Sequence, residues 1–98
     1  MKIGAFVREA MANLSESGFV FSDEEMSAMT TKAWGKEHFH SMSFLRLITD
    51  SNTDIKDDNG RPRFWKDKLT FGKYIVYVSN DWYETDREKF ISWYNSLR

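Results

Sequence analysis

The chain has 98 residues and a mass of 11.6 kDa, which fits one domain over residues 1–98 with a single hydrophobic core. Hydrophobic residues make up 41% of it and aromatics 16%, a content that disordered chains lack. The 14 Lys and Arg against 15 Asp and Glu leave a net charge of −1, and there is no cysteine; a globally basic polyanion binder, a disulfide scaffold, a thiolate nucleophile and a Cys-based metal centre are thereby excluded.

Residues 3–16 place Ile3, Phe6, Val7, Ala10 and Leu14 at helical spacing, so a first helix is expected there. Gly18 stands ready for a left-handed cap after it. Phe19-Val20-Phe21 is a short β-prone run. Ser22-Asp23-Glu24-Glu25 is a capping box, and its three acids suit the positive end of a helix dipole. The second helix then carries Met26, Met29, Ala33 and Trp34 inward and stops at Gly35. Residues 41–50 read as a third helix, with Phe44, Leu45, Leu47 and Ile48 on one arc and Ser43, Arg46 and Asp50 outward. A strand is the rival reading, because Phe, Ile and Thr all favour strands.

Residues 51–60 are polar, with Asp57-Asp58-Asn59-Gly60 as a turn. Residues 61–79 read as a hairpin. Its strands are 63–66 and 74–78, the latter wholly aromatic or β-branched, and residues 67–73 connect them. Pro62, the single proline, sits where a missing donor does least harm. Residues 82–97 form the last helix, capped at Asp81 or Thr85, with Phe90, Ile91, Tyr94 and Leu97 inward. The expected core joins Phe6, Val7, Leu14, Met26, Leu45, Ile48, Val76, Phe90 and Ile91.

Three helices, a β-hairpin and a final helix make a small α+β domain. Together with the rhythm Gly60-Arg61-Pro62-Arg63-Phe64-Trp65, Lys73-Tyr74-Ile75-Val76-Tyr77-Val78 and Trp82, this order resembles the winged helix-turn-helix domains of bacterial and phage proteins. The resemblance implies a recognition helix at 41–50, wing strands within 61–78 and a wing tip at 67–73. It also implies DNA binding. The outward face of 41–50, with one Arg, one Ser and one Asp, departs from the basic or amide-rich face such helices offer to bases.

The strongest functional signal is basic. Residues 61–73 hold five cations against Asp67, a local +4 that leaves −5 for the rest of the chain. Such groups contact phosphates and release counterions. The expected nucleic-acid residues are Ser43 and Arg46 on the third helix and Arg61, Arg63, Lys66, Lys68 and Lys73 on the wing, with Phe71 near the tip able to stack on a base. The bland alternative is an amphipathic hairpin whose charges keep an edge soluble. A protein-interaction module that kept the scaffold without DNA contact is the second functional reading. The excess of Trp and Tyr, residues enriched at interface hot spots, supports it.

Other motifs carry less. His38 and His40 form an H-x-H pair without companion ligands, so no metal is expected. The EF-hand pattern needs an oxygen ligand first and a glutamate last; counted back from Gly60, Ile55 stands first and Lys66 last, and the pattern fails. Adjacent Asp23, Glu24 and Glu25 do not converge on one point of a helix. No nucleophile elbow, phosphate-cradling loop or metalloprotease motif occurs, so no catalytic residue, cofactor or small-molecule substrate is expected. No apolar run approaches the ~20 residues of a membrane helix. Met1-Lys2 leads straight into the first helix with no visible signal peptide, and a cytoplasmic setting is expected.

Overall fold

A computed structural model describes residues 1–97. It is a small α+β domain: α1 (Ile3–Glu16), α2 (Asp23–Met29), α3 (Lys32–His38), β1 (Leu45–Leu47), β2 (Leu69–Phe71), β3 (Tyr74–Val78) and α4 (Arg87–Asn95), the last entered through a single 3-10 turn at Glu84–Asp86. The strands form one antiparallel sheet in the order β1-β3-β2.

The first helix occupies the expected span, and Gly18 ends it at φ +82°. The expected capping box forms in full: Ser22 Oγ accepts from Glu25 N at 3.0 Å, and Ser22 N donates to Glu25 Oε1 at 2.8 Å. The second helix is not continuous to Gly35. Thr30 and Thr31 divide it, because the Thr31 hydroxyl bonds both Ala28 O and Trp34 N and so caps a new helix. Gly35 is not a stop but the middle of α3. The Met42 backbone passes so close that a Cβ at Gly35 would overlap the Met42 carbonyl oxygen.

The largest correction falls on 41–50, which forms no helix. Leu45 and Leu47 lie opposite Val78 and Val76, and Arg46 opposite Tyr77. An apolar-polar-apolar alternation fits a strand as well as a broad helical arc over so short a span. The β-rich segment 74–78 supplies a ladder partner that a solitary short helix would lack. The rival strand reading is therefore the observed one, and neither Ser43 nor Arg46 lies on a recognition helix.

The hairpin is also shifted. Its true strands are β2 and β3, joined by Gly72-Lys73 with Gly72 at φ +63°, the glycine-first pattern of a type II′ turn. Residues 67–73 are thus half strand rather than a wing tip, and Phe71 is fully buried, out of reach of any base. Segment 63–65 does run along β3, through the Phe64–Ser79 bridge and the bond from Trp65 N to Val78 O at 2.9 Å. Residues 66–68 interrupt the pairing between that stretch and β2. The one outward-facing residue of β2, Thr70, is closed by Ser15 of α1, whose hydroxyl donates to Thr70 O at 2.8 Å and accepts from Thr70 N at 3.1 Å.

The two faces of the sheet differ. One packs on the helices in a continuous core of Val7, Met11, Leu14, Phe21, Met26, Met29, Phe39, Phe44, Leu45, Phe71, Val76, Val78 and Phe90, among others. Around it Trp34, Trp82 and Trp93 join in edge-on and stacked contacts, such as Phe39–Trp82 at 5.0 Å and Phe44–Trp93 at 5.1 Å between centroids. Of the expected core, Phe6, Ile48 and Ile91 are half-buried only. The other face carries Phe64 and Tyr77, buried apart from that core. The loop between β1 and β2 covers them, and Tyr77 Oη donates to Thr53 O at 3.0 Å. No helix among the described residues is long and apolar enough to cross a membrane.

Candidate binding cleft

The seven residues expected to bind nucleic acid do not form one basic face. Ser43, Arg46 and Arg63 come together on the wall of a cleft of about 620 Å³. This cleft lies between the α2–α3 junction at Thr30, Thr31 and Lys32, strand β1, and the Asp57–Arg63 loop. Arg61 holds the base of that loop, where Asp57 N donates to Arg61 O at 2.8 Å. Lys66, Lys68 and Lys73 lie outside it.

Acids meet two of these cations, Arg46 and Lys73. Arg46 stacks over the Phe64 ring, 5.9 Å from its centroid, bonds Asn52 Oδ1 at 2.6 Å and lies 3.6 Å from Asp54. Its Nε is closed to solvent and has no acceptor among the described residues. Lys73 at the hairpin turn pairs with Asp23 at 3.1 Å. The Tyr74 hydroxyl, and secondly Lys73, hold the Asp23 carboxyl below its usual range. Asp67, between Lys66 and Lys68, turns away to a two-pronged bond with Arg8 at 2.6 and 3.0 Å, which likewise lowers it. Arg61, Arg63, Lys66 and Lys68 have no ion pair among the described residues.

Three carboxylates stand in the cleft wall with Lys32, Arg46 and Arg63: Asp57, Asp58 and Asp81. Two of them are already engaged. Asp57 Oδ1 accepts from Arg61 N and Asn59 N, both at 2.9 Å. The Arg61 bond first, the Asn59 bond and the nearby Arg63 and Arg61 charges then, against partial burial, keep its carboxyl below the ordinary range. Asp81 lies 3.5 Å from His40 Nε2. The cleft is therefore lined by both signs, by hydroxyls and by one aromatic ring. That lining offers partners to polar side chains of both signs and no uniformly positive surface.

Beside the cleft stands a group that sequence reading missed. Asp86 is fully buried; its Oδ2 lies 2.7 Å from His40 Nδ1 and accepts from Tyr83 N at 3.0 Å, while its Oδ1 has no partner. Tyr83 stacks on His40 with centroids 4.3 Å apart. An Asp–His pair of this kind can orient a general base. Here the second ring nitrogen faces the Asp81 carboxylate, and the pair pins the start of α4 to the α3–β1 connection. The residues lie 46 positions apart, and no local pattern announces such a contact. His38 turns elsewhere: its Nδ1 lies 2.9 Å from Trp34 O and its ring stacks on Trp34. Among the described residues, no group of three or more His, Asp or Glu could hold a metal ion.

Comparison with known proteins finds no matching family model, no matching curated protein and no matching solved structure.

Proposed function

We propose that the domain is a protein-binding module, working by association and not by catalysis, with the cleft beside β1 as its contact surface. The observation that carries this reading is the interleaving of charge. Within the basic segment Lys73 is met by Asp23, and Arg61 and Arg63 lie near Asp57; Arg46 lies beside Asp54, and the cleft is lined by cations and carboxylates in equal number. Mixed charge favours recognition of mixed side chains and sets register against wrong partners. The tryptophans do not supply the surface, since all four pack against the core; Tyr83 is the one strongly exposed aromatic.

DNA binding is the second reading. It is favoured by the unpaired cations Arg61, Arg63, Lys66 and Lys68 and by exposed Lys32 and Lys36 on α3. In that reading the scaffold is winged-helix-like, with α3 in the recognition position and β2–β3 as the wing. Both readings take the domain to work in the cytoplasm, as expected from its sequence.

Fluorescence anisotropy with labelled duplexes and single strands across a salt series separates the two. The protein-binding reading expects no association at low salt. Association with a log–log salt slope of about −2.7, as three phosphate contacts give, overturns it. In a parallel experiment, peptides selected from a random display library are titrated into isotope-labelled protein. Amide shifts confined to residues 30–32, 41–52, 57–64 and 79–81 support the cleft, and shifts elsewhere overturn it.

A further inference from the structure

The cleft's internal bonds are unevenly spent. Asp57 Oδ1 accepts from two backbone donors, and Asp81 Oδ2 lies 3.5 Å from His40 Nε2. Asp58 alone among the cleft carboxylates has no bond among the described residues. On the basic side, half-buried Arg63 has no side-chain hydrogen bond and no ion pair, and Lys32 has none either. Arg46, bonded to Asn52 and 3.6 Å from Asp54, adds a second guanidinium to the same wall. A half-exposed guanidinium with no protein partner is open to an incoming acceptor, and its planar fork matches a carboxylate in two parallel bonds.

We propose that the cleft contains a carboxylate subsite, centred on Arg63 with Lys32 and Arg46 in support, that takes a Glu or Asp side chain of the partner. This rests on the protein-binding reading and names the chemistry of the partner segment. Arg63 is placed for the role by the backbone on both sides of it: its carbonyl accepts from Asn80 N at 2.8 Å, and Phe64 behind it donates its N–H to Ile55 O at 3.2 Å. The guanidinium is thus carried by a fixed stretch of chain rather than by a free loop tip. The Phe64 ring beneath Arg46 keeps water from one side of the site, where a charge-assisted bond is stronger.

The test follows the Nε–H resonances of Arg63 and Arg46 in the full chain. The probes are a blocked tetrapeptide with two central glutamates, its glutamine counterpart, and inorganic phosphate. The glutamate peptide is expected to move both resonances saturably, and at least tenfold more tightly than the glutamine peptide. Arg63→Ala is expected to weaken binding about tenfold or more. Arg63→Lys, which keeps charge but loses the fork, is expected to fall between. Thermal melts of both variants check that the fold is intact; should Arg63→Ala melt early, the Arg63→Lys result stands alone. An equal response to both peptides, or no saturable response, overturns the subsite. So does a response to phosphate as strong as to the glutamate peptide, which would make the ligand a phosphate. Library peptides that lack acids yet map to the cleft and bind Arg63→Ala unchanged overturn the subsite alone. Duplex binding at low salt instead overturns the protein-binding reading beneath it.

Discussion

The two faces of the sheet are held by different physics. The helical face is a deep, redundant core in which aromatic rings touch several others, and Phe39 alone meets Trp34, Phe44, Trp82, Phe90 and Trp93. The loop-covered face rests on Phe64 and Tyr77, with the rest of its cohesion coming from turn hydrogen bonds and the Arg46 contacts. The first face makes a fold. The second, thinly buried and rich in polar groups, leaves the recess open and Arg63 without a protein partner among the described residues. Stability rests on the helical face of the three-stranded sheet, and the cleft opens along its β1 edge, between the α2–α3 junction and the covering loop.

Substitutions can test that division. The largest effect is expected where the helical face is tightest. Gly35→Ala drives a methyl into the Met42 backbone, which cannot swing aside as a side chain would. The cost should exceed the ~1–3 kcal/mol of ordinary overpacking, read from urea melts. Phe64→Ala comes next. Truncation of a buried Phe costs about 3–5 kcal/mol in a rigid core, and a value at the low end is expected because the covering loop can settle into the space. Hydrogen exchange should quicken around residues 52–64 and stay unchanged in α1; acceleration in both would show that the faces are one cooperative unit. Tyr77→Phe removes the bond to Thr53 and should cost about 1 kcal/mol in the same melts.

The smallest effect is a pH dependence. Asp57 is depressed in the folded chain, so its contribution is full above the unfolded carboxyl range and is lost as the pH falls through its lowered value. Below about pH 4 the amide resonances of Asn59 and Arg61 should shift as their acceptor is protonated. The helical core should titrate separately, and a concerted change would again join the two faces.

Much of the helical face was legible. The first helix, the Ser22 capping box and the β3 strand each follow from local chemistry that tertiary packing leaves alone. The third helix expected at 41–50 was not borne out, because Leu45, Leu47 and Ile48 satisfy both periodicities in a span too short to separate them. Thr31, a capping residue inside an apparently continuous helix, was the signal for the α2–α3 break. The last helix starts at Arg87 rather than residue 82, because Asp86 ties its carboxylate to Tyr83 N and His40 and so fixes a 3-10 turn first. For the site, charge composition pointed to Arg46 and Arg63 but not to their surroundings. The acids that face them come from residues 54–58, a stretch whose local pattern says only that it turns. Asp86 and His40 belong to distant segments, and only the closed fold brings them into contact.

The Ser15–Thr70 contact has a consequence for how the chain behaves in a crowd. A strand at the margin of a sheet offers its free amide and carbonyl to any passing extended chain, which is how sheets grow into aggregates. In β2 that offer consists of one N–H and one C=O, both on Thr70, and a single hydroxyl on α1 answers both. The domain thus protects one margin of its sheet with an oxygen atom and needs no proline, bulge or charged strand to do it. Copies of the chain at high concentration meet a sealed seam on that side, and the open recess lies along the opposite, β1 margin of the sheet.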